Sequence, residues 1–399
     1  MKEGLFSILL FSILFKVVFA LYGITLPVNF SLIILPFFLF FMLFYIAKQN
    51  FHLKTPSNLL ILGLLLLFWA WMLMSSLYSI SEKYKFIKSS LFLLNILLFA
   101  YPMWVPLNYK RLFVQMVTIA TILEPILFVF IPLLLFGDVE GSKAYYLALG
   151  EISGIIILFY LVLIKNNQIK PTAFSIIVIL IHTIILLMNP ARGPIIFTLI
   201  LITIWAFFHF DLFLRLKMLI FILVSFVCVT GILIVFFSMF PEYSTFLLER
   251  MGKLIQLVVG QDVTIMGVST YERLVFWAFS IKMIFKDAFH FLFGYGIGSF
   301  GTLFNGYDGR LYPHNMILET WFELGLIGII ILGLFFTSYI LEIARKRNIW
   351  LLLPLGVPFL DAMKSFSLPD LRILFGIMGM VLNFVIWNKR SDIDEDRAG

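Results

Sequence analysis

Charge is what this sequence has least of. Of its 399 residues only 13% are Asp, Glu, Lys or Arg, against about a quarter in an ordinary soluble domain. That scarcity excludes a water-soluble globular enzyme, a disordered chain and a coiled coil, each of which relies on charge for hydration or pairing. Cysteine is scarcer still. The single Cys228 sits inside an apolar run, which excludes a disulfide framework and a cysteine-based metal centre. No internal repeat of the inverted-transporter kind is visible, and there is no Walker sequence, zinc motif or Gly-x-Ser-x-Gly elbow. Gly296–Gly301 fits G-x-G-x-x-G but lacks the βαβ surroundings that give the pattern meaning. It reads as a flexible turn within Gly294–Gly301.

What is present is apolar: 62% hydrophobic, 18% aromatic, with a mean hydropathy of +1.06. Runs long enough to cross a bilayer fall at about 4–22, 28–47, 58–80, 90–106, 112–136, 147–164, 173–189, 194–210, 218–240, 315–341, 349–365 and 367–387. The expected fold is therefore an all-α polytopic membrane protein with about 12 transmembrane helices. The last two runs can also be read as one broken unit. The first follows only Lys2 and leads straight into a second, so it reads as a retained helix rather than a cleaved signal peptide.

Basic residues gather in cytoplasmic loops, and that bias sets the orientation. With the N-terminus inside, fifteen of the 29 Lys and Arg fall on cytoplasmic segments and seven on short outer loops. Much of the net charge of +7 thus reads as topology rather than as an anionic partner. The cluster Lys83, Lys85 and Lys88 is the one clear violation. Both termini are expected to be cytoplasmic.

The chain divides into a bundle of about nine spans over 1–240, a long extracytoplasmic loop over 241–313, about three C-terminal spans over 314–390, and a tail over 391–399. The long loop is aromatic-rich, and its six basic and six acidic residues cancel. Arg273–Phe293 within it reads as an amphipathic helix lying at the interface.

Three polar clusters fall on that same outer side. The first, Asn189–Pro194, is a tight break between apolar runs that places Arg192 between rigid flanks. Arg192 is equally readable as a topological or snorkelling arginine. The second is Ser269-Thr270-Tyr271-Glu272-Arg273, a helix start. Glu272 is at least as well explained by its helix-start position as by chemistry. Arg273 is disfavoured at a helix N-terminus unless an anion sits there. The third is His314-Asn315-x-x-Leu318-Glu319-x-x-x-Glu323-x-Gly325-x-x-Gly328 at the entrance of a span. Glu319 and Glu323, four apart, share one face, and burying such groups in a membrane is costly enough to turn them inward. Lys16, Glu124 and Glu151 are better read as fold-stabilising contacts than as catalysts.

The His314–Gly328 stretch resembles the signature of the bacterial O-antigen ligase and polymerase superfamily. The Arg192-Gly193 break fits that family's first arginine. Arg273 ahead of a Trp-containing helix, followed by Gly294-Tyr295-Gly296-Ile297-Gly298-Ser299-Phe300, is similar to its long periplasmic loop. The resemblance covers 189–330.

It implies a membrane glycosyltransferase of the bacterial inner membrane that draws on an undecaprenyl-pyrophosphate-linked glycan and needs no cofactor, metal or nucleotide sugar. On that reading His314, Arg273 and Arg192 are catalytic. Asn315, Glu319, Glu323, Glu272 and Tyr271 bind or position substrate, and the partners are the lipid-linked donor, a glycan acceptor, membrane lipids and a chain-length regulator, with no nucleic acid. Polymerase is the first expectation and ligase to the lipid A core or protein the second. A lipid-linked oligosaccharide flippase is the alternative of another class.

Overall fold

In a computed structural model, the structure describes residues 1–21, 30–48, 56–129, 145–166, 168–189, 191–209, 268–345 and 349–384. Among them it is all-helical, without strands. The run 218–240, the first part of the long loop, Cys228 and the tail lie outside the described residues.

The helices are α1 (Lys2–Leu10), α2 (Ser12–Leu21), α3 (Phe30–Lys48), α4 (Pro56–Ser75), α5 (Tyr84–Trp104) and α6 (Tyr109–Val129), then α7 (Tyr145–Lys165), α8 (Ala173–Met188) and α9 (Arg192–His209). After them come α10 (Val268–Ile284), α11 (Ala288–Phe293), α12 (Ser299–Asn305), α13 (Met316–Arg345), α14 (Leu353–Ala362) and α15 (Arg372–Phe384). Five are long and apolar enough to cross a membrane: Ser57–Ser75, Tyr84–Trp104, Tyr109–Val129, Tyr146–Lys165 and Met316–Arg345. The other described apolar helices are shorter, α15 being about 20 Å long at 1.5 Å per residue, less than a bilayer core.

Two compact units emerge. Unit 1 comprises Met1–Lys16, Leu26–Ile119 and Arg273–Gly399; unit 2 comprises Val17–Thr25 and Ala120–Glu272. Unit 2 buries a polar cluster: Glu124 Oε2 accepts a hydrogen bond from Ser153 Oγ at 2.5 Å and lies 2.9 Å from His182 Nδ1. Glu124 is thus in a buried polar contact, while its Oε1 has no hydrogen-bond partner among the described residues. Glu151 is buried nearby in sequence on α7, whereas Lys16 is exposed on α2.

Unit 1 is organised around α13, which is not one straight rod. Gly325 (φ 68°, ψ −171°) interrupts it, a left-handed conformation glycine adopts without steric cost. Three carbonyls at the interruption accept hydrogen bonds from outside the helix. Phe322 O accepts from Tyr295 N and Glu323 O from Gly296 N, each at 2.9 Å, while Leu324 O accepts from Trp71 Nε1 at 2.9 Å.

The glycine-rich turn is likewise not a flexible return. Tyr78 Oη donates to Phe293 O at 2.6 Å, Ser79 Oγ to Ile297 O at 2.7 Å, and Ile297 N to Ser75 Oγ at 3.1 Å. A Cβ at Gly296 would fall 2.5 Å from Ser79. Close backbone approach, not mobility, is what these glycines permit.

Candidate functional site

The residues singled out around His314 converge in unit 1. Asn315 caps α13: its Oδ1 accepts Leu318 N at 3.0 Å, satisfying a helix-start donor. Its Nδ2 donates to Met363 O at 2.8 Å, which ties the start of α13 to the turn after α14.

His314, just before the cap, has φ 58°, the only left-handed non-glycine among the described residues. Such a conformation costs about 1–2 kcal/mol and marks functional sites. His314 Nδ1 lies 3.1 Å from Ser365 O. A carbonyl can only accept, so Nδ1 carries the hydrogen, and in the neutral ring Nε2 is the basic nitrogen. The ring stacks on Phe276 (centroids 6.0 Å apart, 9° between planes) and meets Tyr312 at 4.4 Å.

The expected amphipathic helix over 273–293 is two helices. α10 stops at Ile284, and Asp287 starts α11 by accepting His290 N at 2.9 Å. α10 carries Arg273 one turn before Phe276 and Trp277, on one helix face. Trp277 Nε1 donates to Pro313 O at 2.8 Å. The face that bears Arg273 is therefore the one docked on the His314 segment. Tyr271 and Glu272, on the turn before, are exposed and are grouped with unit 2. Arg192, half-buried at the start of α9, also belongs to unit 2.

Glu319 and Glu323 share one face, and what they share is Lys88. Its Nζ lies 2.5 Å from Glu319 Oε1 and 2.7 Å from Glu323 Oε1 and Oε2, with all three side chains fully buried. Ser367 Oγ and Leu368 N, the latter at 3.0 Å, donate to Glu319, and the Gly298 amide bonds Glu323. Lys88, which counted as a violation of the charge rule, is thus the counter-ion of the two acids. Two residues were missed altogether: Ser367, which donates to Glu319, and Asp361, a buried acid on which the charges of Lys364 and Arg273 act. A lone acid in the apolar run 349–365 was the available signal, because ionisable groups in such runs are functional candidates by default.

The loop leading to His314 is pinned by Asp308. One oxygen accepts Ser81 Oγ at 2.6 Å; the other accepts Lys83 N at 2.8 Å and Glu82 N at 3.1 Å, placing a carboxylate at the N-terminus of α5. Desolvation opposes ionisation of Asp308, but these hydrogen bonds outweigh it and hold its carboxyl below the usual range. Its stabilisation is then full above the unfolded value, near pH 4, and is lost as pH falls through the lower folded value. Asp308→Ala is expected to lower the unfolding midpoint at pH 7 and to flatten its decline below about pH 4, read by thermal melts in detergent across pH.

Compared with known proteins, the chain matches no protein-family model and no curated protein.

Proposed function

We propose that this chain is a membrane glycosyltransferase that polymerises surface-polysaccharide repeat units, such as O-antigen, from an undecaprenyl-pyrophosphate-linked donor. On this reading about twelve spans place 241–313 and the start of α13 on the outer face of a bacterial inner membrane, with both termini cytoplasmic. The observation that carries it is the presentation of His314: strained backbone, ring fixed between Phe276 and Tyr312, and Nδ1 committed to Ser365 O.

In the reaction an acceptor hydroxyl oxygen attacks the anomeric carbon of the donor while its proton passes to His314 Nε2. The bond from that carbon to the pyrophosphate oxygen breaks, and the electron pair leaves with the lipid pyrophosphate. Arg273 stabilises the growing charge through paired hydrogen bonds to phosphate oxygens, and the family resemblance assigns a catalytic role to Arg192 as well. Asn315 positions His314 through the helix cap. Glu319 and Glu323, bound to Lys88, hold the first turns of α13 rather than touching substrate.

Purified protein given a lipid-linked oligosaccharide decides the matter. Arg273→Ala and Arg192→Ala are each expected to lower transfer by about 100-fold, the usual loss for one charge-stabilising donor. Wild-type rates in both would sink the assignment. Offering a second lipid-linked glycan or a lipid A core as acceptor separates polymerase from ligase. Reporter fusions after residue 270 test the orientation, and cytoplasmic activity there would overturn it.

A further inference from the structure

Lys16, Arg310 and Arg372 are three cations of unit 1 that the reaction above does not use. Arg372, half-buried, opens α15, and its Nη1 donates to Ser31 Oγ at 2.6 Å and to Ser12 Oγ at 3.2 Å. Ser31 Oγ in turn donates to Ser12 Oγ at 3.0 Å. Two neutral hydroxyls thus hold one edge of the guanidinium without cancelling its charge. The other nitrogens of Arg372 make no hydrogen bond among the described residues and are not sealed from solvent. Their N–H groups form the planar fork that matches an oxyanion.

Lys16 follows Ser12 by one turn of α2, on the same helix face, and is exposed. The charges of Arg372 and Arg310 both act on it, and no carboxylate does. Arg310 is the one of the three with an acid in contact: its Nη2 lies 2.8 Å from Asp370 Oδ2. The same carboxylate acts on Arg372, two residues further on. Glu319 acts on Tyr312, whose ring lies 5.9 Å from the Arg310 guanidinium. Lys88 lies against both Glu319 and Glu323, however, so that set adds only one uncompensated negative charge. Positive charge still predominates among the three cations.

Lys16 and Arg372 stand in the first and last apolar runs, where a cation without an acid of its own is costly. The anion at hand where a span meets the headgroup layer is a lipid phosphate, and the long stem of Lys16 lets its ammonium snorkel to that level. The start of α15 makes the same demand, since a cation at a helix N-terminus is disfavoured unless an anion lies there. We propose that Lys16, Arg310 and Arg372 bind the headgroup phosphate of an anionic phospholipid whose acyl chains remain in the bilayer. The inference goes beyond the transferase reading and does not depend on it. Excess positive charge favours a headgroup without an amine, because in a zwitterionic lipid the phosphate is already balanced. One headgroup then ties α2 to the start of α15, beside the loop that carries Arg310.

The test is binding of dioleoyl phosphatidylglycerol to the purified full chain in neutral detergent, read by native mass spectrometry. Dioleoyl phosphatidylcholine is the zwitterionic comparison and is expected to bind more weakly. Arg372→Gln removes the fork and is expected to weaken phosphatidylglycerol binding at least about tenfold, the usual worth of a hydrogen bond to a charged group. Lys16→Gln, at an exposed position, is expected to weaken the same binding several-fold, and reads the site should Arg372→Gln fold poorly. Lys282→Gln makes the same charge change at an exposed position of α10 and is expected to bind as wild type does. Equal binding of the two lipids, undiminished binding in both Arg372→Gln and Lys16→Gln, or an equal loss in Lys282→Gln would each overturn the proposal. Displacement of the lipid by glucuronic acid at equal concentration would also overturn it, and would give the site to a sugar carboxylate. Wild type that binds phosphatidylglycerol as expected yet transfers no glycan would sink the transferase reading alone.

Discussion

Lys88→Met is expected to destabilise the protein by about 3–5 kcal/mol, the cost of removing one partner from a buried ion pair. Lys88 Nζ is within 2.7 Å of both carboxylates and none of the three side chains reaches solvent. Without it, Glu319 and Glu323 face each other one turn apart with a few donors left between them. At least one must then take up a proton or stay charged at high cost. The same change is expected to slow transfer, since the acids fix the turns of α13 that follow His314. Converting the whole network, Lys88→Met with Glu319→Gln and Glu323→Gln, removes the charges together and is expected to recover most of the loss. Unfolding midpoints in detergent, followed by tryptophan fluorescence, read both variants. A wild-type midpoint for Lys88→Met would show that the network does not hold α13.

His314→Gly is expected to lose about 100- to 10,000-fold in kcat, the usual worth of a positioned acid–base group, without unfolding earlier. Glycine is the informative replacement because φ is 58° at this position. Glycine relieves about 1–2 kcal/mol of backbone strain, which offsets the missing ring packing against Phe276 and Tyr312. A purely structural histidine predicts the opposite pattern, with stability falling and transfer following it. The residual activity of the variant should also lack the acid limb that a general base imposes on a pH–rate profile. Transfer rates across pH, set beside thermal melts of the same preparations, separate the two. Unchanged kcat would remove His314 from the chemistry.

Local features of the site were legible in the sequence, and long-range pairings were not. The spacing of Glu319 and Glu323 put them on one face, and the sequence placed Asn315 at a helix entrance, where the structure finds it capping α13. Lys88 was misassigned because counting basic residues treats each as a topological marker. Its partner lies 235 residues away, and no periodicity links the two. Two intramembrane acids do demand a cation, however, and the violating Lys83–Lys88 cluster was the place to look. The break at Gly325 escaped for a different reason. Hydropathy averages over a window, so a single left-handed residue inside an apolar run leaves no trace in it. Apolar run length also overstated the helices near the C-terminus, where the runs 349–365 and 367–387 each open with a short 3-10 turn, Ile349–Leu352 and Leu368–Asp370, ahead of the shorter α14 and α15.

The carbonyls at the Gly325 interruption bear on how this protein can diverge. Tyr295 and Gly296 are fastened to Phe322 and Glu323 by main-chain atoms at both ends. The hydrogen bonds of such a joint do not depend on side-chain identity, although Tyr295 and Phe322 also stack in the buried core, their ring centroids 5.0 Å apart. Gly325 cannot drift, since a Cβ there would fall 2.2 Å from Leu292 O. Across many generations such a fold would retain its glycines and a few ionisable residues while its apolar surface changed almost freely. Kinship would then persist in a handful of backbone positions long after overall similarity had faded.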